Sequence, residues 1–132
     1  MQRIQSNFDK QAFMKFLGAE IVRIERGTVT IACPKREDLT QQNGFFHAGV
    51  LTSIADSACG YSALTVMREG ADVLTVEFKV NLLRPAVADR IIATGTVLKA
   101  GRTLVVCEGT VTDDANAEIY AKMVGTMIVK ER

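Results

Sequence analysis

A solitary carboxylate stands out in the segment HAGVLTSIADSACGYSALTVM, residues 47–67. Asp56 is the only Asp, Glu, Lys or Arg between His47 and Met67. At about 100° per residue, a helix here puts Gly49, Thr52, Ser53, Gly60 and Ala63 on the Asp56 side. Every one of these is small. Leu51, Ile54, Ala58, Tyr61 and Thr65 cluster on the other side, which should pack on a sheet. A solvent-facing helix side usually carries Lys, Glu, Gln or Arg, so the Asp56 side is shaped for close approach by something else. A carboxylate in that setting is partly stripped of water, which disfavours its charged form and moves its pKa upward. Such a group is a candidate general base or nucleophile. It could equally be a structural carboxylate that caps or hydrogen-bonds a neighbouring subunit.

The start of the same helix offers a second chemical element. Phe46-His47-Ala48-Gly49 follows a turn signal, Asn43-Gly44. The first backbone N–H groups of a helix lack internal partners and carry the positive end of its dipole. They could polarise a carbonyl oxygen and hold the oxyanion formed when that carbonyl is attacked. His47 is the chain's one histidine. It is read as holding the loop-to-helix turn, with its near-neutral pKa the only argument for proton transfer.

Other elements must position these groups. Residues 7–17 carry Phe8, Ala12, Phe13, Phe16 and Leu17 at helical spacing and predict a short amphipathic helix stopped near Gly18. Ile21, Val22 and Ile24, then Arg26-Gly27, then Val29 and Ile31 predict a hairpin ended by Pro34. Residues 34–46 read as a polar, turn-rich loop. In 73–83, Leu74, Val76, Phe78, Val80 and Leu82 alternate with Thr75, Glu77, Lys79 and Asn81, which predicts an amphipathic strand. Three more strand-like runs follow around 90–99, 103–112 and 118–130. In the last, Ile119, Ala121, Met123, Met127 and Val129 share a face. Consecutive strands with short turns imply an antiparallel sheet. One long helix covers only one face of it, so the fold class is α+β.

Composition narrows the function classes. The chain has 132 residues, 48% of them hydrophobic, which suits one compact domain with a real core. Sixteen basic and fifteen acidic residues leave a net charge of +1, with no basic stripe for nucleic acid. Cys33, Cys59 and Cys107 are odd in number and form no CxxC pair. That argues against a disulfide framework or a zinc site and suits a reducing cytoplasm. No segment approaches the roughly 18 apolar residues of a membrane span, and the N-terminus lacks a signal-peptide core. No P-loop or GxGxxG motif is present.

The run from Gln41 to Asp56, QQNGFFHAGVLTSIAD, resembles the hot-dog thioesterase superfamily, and most closely its phenylacetyl-CoA-thioesterase-like (PaaI-type) branch. That family has a His-Gly-Gly stretch opening a long central helix and an acidic residue nine positions after the His. His47 and Asp56 have that separation. LTVEFKVNLLRPA at 74–86 is similar to the family strand that ends in a proline turn, and KAGRTLVV at 99–106 to its following hairpin. The resemblance implies one hot-dog domain over residues 1–132, an antiparallel sheet wrapped around one long central helix.

It also implies an activity, hydrolysis of acyl-coenzyme A thioesters, and site residues. Asp56 matches the catalytic carboxylate. Ala48 matches the glycine whose N–H polarises the thioester carbonyl, with Gly49 beside it. Gln41 matches an Asn or Gln that positions water or the thioester, and Thr75 a hydroxyl residue that assists the water in some members. Asn43 falls on the substrate side of the same loop. Arg84, Lys99 and the turn Gly101-Arg102-Thr103 are the candidates for contact with coenzyme A phosphates, and Arg102 could equally be a solvated turn arginine. An apolar acyl pocket is expected from Phe45, Phe46, Val50, Tyr61 and Leu64. Coenzyme A is part of substrate and product, so no separate cofactor is implied. The family assembles as homodimers that pair into homotetramers, with sites at subunit boundaries. One departure is Ala48, where the family has glycine. The alanine keeps its N–H but adds a methyl near the thioester and disfavours positive φ. That leaves a non-catalytic acyl-CoA-binding role open. A hydratase would need an acid/base pair that the single His47 supplies poorly.

Overall fold

The computed structural model describes residues 1–131. Two short helices, α1 (Gln2–Asp9) and α2 (Ala12–Leu17), precede β1 (Glu20–Glu25) and β2 (Thr28–Pro34). The central helix α3 (Ala48–Leu64) follows, then β3 (Asp72–Leu82), β4 (Arg90–Ala100), β5 (Leu104–Asp113) and β6 (Ile119–Lys130). The six strands form one antiparallel sheet in the order β1-β2-β4-β5-β6-β3. This is the hot-dog architecture that the sequence led us to expect.

The sheet wraps α3 because its middle strands have room for a helix backbone. A Cβ at Gly95 of β4 would lie 2.4 Å from the Ala58 carbonyl carbon and oxygen and 2.6 Å from the Cys59 nitrogen. One at Gly109 of β5 would come within 3.0 Å of Cys59 Sγ. Around this crossing Leu51, Ile54, Ala55 and Ala58 are buried. Burial of a Leu or Ile side chain stabilises by about 1.5–3 kcal/mol. Gly95→Ala should therefore push the helix off the sheet. Overpacking against backbone is expected to lower the unfolding free energy by about 2–3 kcal/mol, read from urea denaturation.

Three expectations are corrected. The predicted helix over 7–17 is two helices, broken where Gln11 turns extended at φ −84° and ψ 99°. Ile4 and Phe8 of the first and Met14 and Leu17 of the second are all buried. In one continuous helix at 100° per residue those pairs would point about 130° apart, so the break re-phases the second face. Phe13 and Phe16 remain exposed. Gly18 does end α2, in the left-handed region at φ 73°. Second, α3 ends at Leu64, three residues early, and Arg3 explains how. Its guanidinium donates to the carbonyls of Leu64 at 2.7 Å, Met67 at 2.6 Å and Arg68 at 2.9 Å. A cation there meets both the orphan carbonyls and the negative end of the dipole.

Third, β3 does not pair with its sequence neighbour β4. It lies at the far edge beside β6. Residues 83–89 carry the chain back across the end of the sheet, past the start of α3, where the Ala86 carbonyl accepts the Phe46 N–H at 3.2 Å. The alternation in β3 is also interrupted. Thr75 pairs with Met127 and Glu77 with Thr126, leaving Val76 as an extra residue. Such a bulge reverses which face later side chains take. Thr75, Phe78 and Val80, opposite Met127, Gly125 and Met123, thus share the helix side.

Candidate active site

Asp56 sits on the half of α3 that faces β3. The Thr75 hydroxyl donates to Asp56 Oδ1 at 2.7 Å, a contact made possible by the bulge at Val76. The carboxylate is half-buried, and that burial pushes its pKa up while the Thr75 hydrogen bond partly opposes the rise. Asp56 and Thr75 line a cavity of about 390 Å³ with Ser57, Gly60 and Tyr61 of α3 and with Asn7 and Gln11 from the N-terminal helices. A carboxylate so placed can take a proton from water or attack an electrophilic carbon.

The start of α3 is held from several directions. The His47 N–H donates to Leu39 O at 2.9 Å, and Phe46 is buried. Gln41 organises the preceding loop, its amide oxygen accepting from Asn43 N–H at 2.6 Å and Phe45 N–H at 3.2 Å. His47 caps the helix, since its Nδ1 accepts the Gly49 N–H at 2.8 Å. The Gly49 amide is thereby occupied. The Ala48 N–H has no acceptor among the described residues. Ala48 lines a second cavity, about 460 Å³, with Gln41, Asn43, Phe46 and Arg84. Loss of the cap in His47→Ala should lower stability by about 1 kcal/mol, measured by thermal or urea unfolding.

The remaining predicted residues are spread around these two centres. Val50 is buried beside a third cavity, about 340 Å³, lined by Phe13, Phe16, His47 and Gly49. Tyr61 was expected against the sheet. Instead its hydroxyl donates to Asn7 Oδ1 at 3.0 Å, its ring meets Phe8 edge-on at 5.8 Å, and it faces the N-terminal helices. Leu64 lies in the core. Phe45, Phe46, Val50, Tyr61 and Leu64 thus do not line one cavity of the chain. Of the small residues on the Asp56 side, Gly60 is buried beside the Asp56 cavity and Ala63 is buried in the core.

The cationic candidates lie at opposite ends of the sheet. Arg84 follows β3 and forms an exposed ion pair with Glu118 at 2.8 Å. Gly101, Arg102 and Thr103 form the exposed turn between β4 and β5, and Lys99 is exposed at the end of β4. Thr75 and Val105 flank Met127 of β6 on either side. That turn therefore lies at the Thr75 end, about 10 Å across two strand spacings.

Within one chain the two chemical elements do not meet. Asp56 follows Ala48 by eight residues, about 12 Å along a helix rising 1.5 Å per residue.

The thioesterase-superfamily sequence profile matches residues 43–120, which span the helix start, Asp56, Thr75 and the β4–β5 turn. The chain belongs to the thioesterase superfamily. A thioesterase-family protein of Silicibacter pomeroyi is 41% identical, covers 99% of this chain and 98% of its own, and superposes with a TM-score of 0.95. A protein named as a candidate esterase in Saccharolobus solfataricus is 31% identical over 98% of this chain and 91% of its own length. The 1,4-dihydroxy-2-naphthoyl-CoA hydrolase of Listeria monocytogenes is 25% identical over 88% of this chain and 94% of its own. The reaction of this thioesterase is thioester hydrolysis. Among the described residues, no helix is long and apolar enough to cross a membrane.

Sequence reading missed the wall that Asn7 and Gln11 build beside Asp56 in this thioesterase. The one available signal was their i, i+4 spacing, which puts two amides on one helical side. The break at Lys10-Gln11 keeps even that from being decisive.

Proposed function

We propose that this thioesterase hydrolyses acyl-coenzyme A thioesters, with Asp56 activating the attack and the Ala48 amide holding the oxyanion. The observation that carries this reading is the Asp56 carboxylate itself, half-buried, held by Thr75 at 2.7 Å and open to a cavity of about 390 Å³. Oδ1 is engaged by Thr75, and Oδ2 has no protein hydrogen bond among the described residues. Oδ2 takes a proton from water as that water attacks the thioester carbon, or itself attacks to form an acyl anhydride that water then opens. The negative charge gathers on the former carbonyl oxygen, where a helix N–H stabilises it. The carbon–sulfur bond then breaks and coenzyme A leaves as a thiolate, which needs no strong general acid. Gln41 shapes the loop that presents the amide, and Asn43 and Phe46 border it. Gly49 serves through its bond to His47, which fixes the first turn.

The roughly 12 Å between Asp56 and Ala48 favours a site completed by a second subunit. β3 supports this. It is an edge strand of 11 residues on which Leu74, Val76, Phe78 and Leu82 are 52%, 54%, 40% and 53% exposed. Unpaired apolar edges of that length are normally covered. A homodimer, paired into a homotetramer, would cover the strand and bring Asp56 of one subunit to the helix start of another. Lys99 and Arg102 form no ion pair among the described residues, which leaves both free for coenzyme A phosphates, whereas Arg84 would have to leave Glu118. The buried free cysteines fit a cytoplasmic location.

Coenzyme A release from aryl, branched and medium-chain acyl thioesters, followed with a thiol reagent, tests the reading. Saturable release from at least one class is expected. A chain that releases none, at any pH where it is folded, is not an acyl-CoA hydrolase.

A further inference from the structure

The third cavity, about 340 Å³, takes no part in the chemistry assigned to Asp56 and Ala48. Its volume nevertheless lies in the range of small-molecule sites, about 300–1,000 Å³. Its rim is aromatic. Because α2 turns Met14 and Leu17 inward, Phe13 and Phe16 are left 50% and 62% exposed. Single exposed apolar residues are ordinary, but a grouped pair beside a cavity marks a binding surface. The two rings lie nearly parallel, 14° apart in plane, with centroids 6.4 Å apart. Together they offer a flat surface to a flat guest.

Polar groups border these rings. His47 Nδ1 is occupied by the Gly49 N–H, so the neutral imidazole carries its proton on Nε2, a donor. Asp38 Oδ1 accepts from Arg36 Nε at 3.0 Å, and Oδ2 has no protein hydrogen bond among the described residues. His47 and Asp38 both line the cavity. A donor and an acceptor on one cavity complement the edge of a nucleobase, where a ring nitrogen or carbonyl lies beside an N–H. Arg36 adds a cation. Its guanidinium lies 5.6 Å from the Phe16 ring centre, and Nη2 donates to the Phe16 carbonyl at 2.9 Å. With the bond to Asp38, two of its five donors are engaged, and three remain for a phosphate. A plain hydrocarbon guest would leave donor, acceptor and cation without partners.

We propose that the cavity beside the start of α3 is a purine-nucleotide site. The base stacks on Phe13 and Phe16, its polar edge meets His47 and Asp38, and its phosphate meets Arg36. A purine is favoured over a pyrimidine because it covers more ring surface. Two sources carry this chemistry, the nucleotide end of coenzyme A itself and a free purine nucleotide. Occupancy also bears on catalysis, since His47 is the cap of the helix turn that presents the Ala48 amide.

Calorimetry with ADP, UDP and ribose 5-phosphate tests the site without any turnover, so its result stands whether or not the acyl-CoA hydrolase reading does. ADP should bind saturably and more tightly than UDP, and ribose 5-phosphate more weakly than either. The double variant Phe13→Ala, Phe16→Ala removes only exposed rings and should fold. Its affinity for ADP should fall about 5- to 150-fold, the effect of losing one stacked base. Kinetics separate the sources. With coenzyme A's own nucleotide in the site, ADP competes with acyl-coenzyme A, and the double variant raises KM for acyl-coenzyme A but not for the matching acyl-pantetheine. With a free nucleotide there, ADP binds beside saturating coenzyme A, and the double variant leaves that KM unchanged. Either result supports the site. No saturable ADP binding, UDP or ribose 5-phosphate bound as tightly as ADP, or unchanged ADP affinity in the double variant overturns it.

Discussion

Asp56→Asn should lower turnover of an acyl-coenzyme A thioester by about 10²–10⁴-fold, the usual effect of removing a general base. Asparagine keeps the size of the side chain and can still accept from the Thr75 hydroxyl, so the loss would report chemistry rather than shape. The folded state should not suffer. Burial raises the Asp56 pKa above that of an unfolded aspartate, so between those two values the folded chain binds more protons. Stability therefore falls as pH rises through that window, and at neutral pH the ionised Asp56 is a net burden on the fold. The Asn variant should melt at the same temperature as wild type or above it. For the wild-type enzyme, kcat/KM should decline on acidification through a pKa higher than an ordinary aspartate's, as the base takes up its proton. Full activity in Asp56→Asn would remove Asp56 from the mechanism, whereas a melting point well below wild type would show that the carboxylate stabilises the fold. Single turnover in ¹⁸O-labelled water tests for the anhydride, because water that opens it at the Asp56 carbonyl leaves label in that carboxylate, which a general base never acquires.

Ala48→Pro tests the other half of the site and should lower turnover by about 10²–10³-fold, the effect of losing one oxyanion donor. Proline is suited to this experiment because the first position of a helix tolerates it. The preceding residue, His47, already has the extended conformation that a proline requires, at φ −63° and ψ 139°. The substitution thus deletes the one N–H without breaking a helical bond. If the site is shared between subunits, the two dead variants should rescue each other when unfolded and refolded together. With random pairing half the dimers are mixed, and each mixed dimer holds one intact site of two. About a quarter of wild-type turnover is then expected. Absence of any rescue, with mixed dimers demonstrated, would put Asp56 and Ala48 in separate sites.

Much of the architecture could be read from residue patterns. The order of elements, the antiparallel sheet and the ends of β3, β4, β5 and β6 follow from apolar periodicity to within a residue. Those signals are local, and a strand or helix records its own period. Asp56 was conspicuous for the same reason, as a charge on a helix otherwise free of charges. The partner of β3 was not legible, because which strand lies beside which depends on contacts far apart in the chain. Tyr61 was misplaced because a helical wheel gives the direction of a side chain but not what stands there. Its neighbours Asn7 and Gln11 are some fifty residues away.

Residue types and spacing were enough to put a lone, water-poor acid on a long helix opening with free amides, and that helix against a sheet. These are consequences of composition and spacing within twenty residues. It took the folded chain to aim Thr75 at Asp56, since alternation alone puts Thr75 on the face with Glu77 and Lys79. The extra residue at Val76 reverses the pleat, and a bulge is paid for by pairing with β6 rather than by any preference of its own residues. The tertiary structure likewise decided that His47 consumes the Gly49 amide and leaves Ala48's open. That choice depends on the angle at which the loop meets the helix, which the Leu39 and Ala86 carbonyls set from outside the segment.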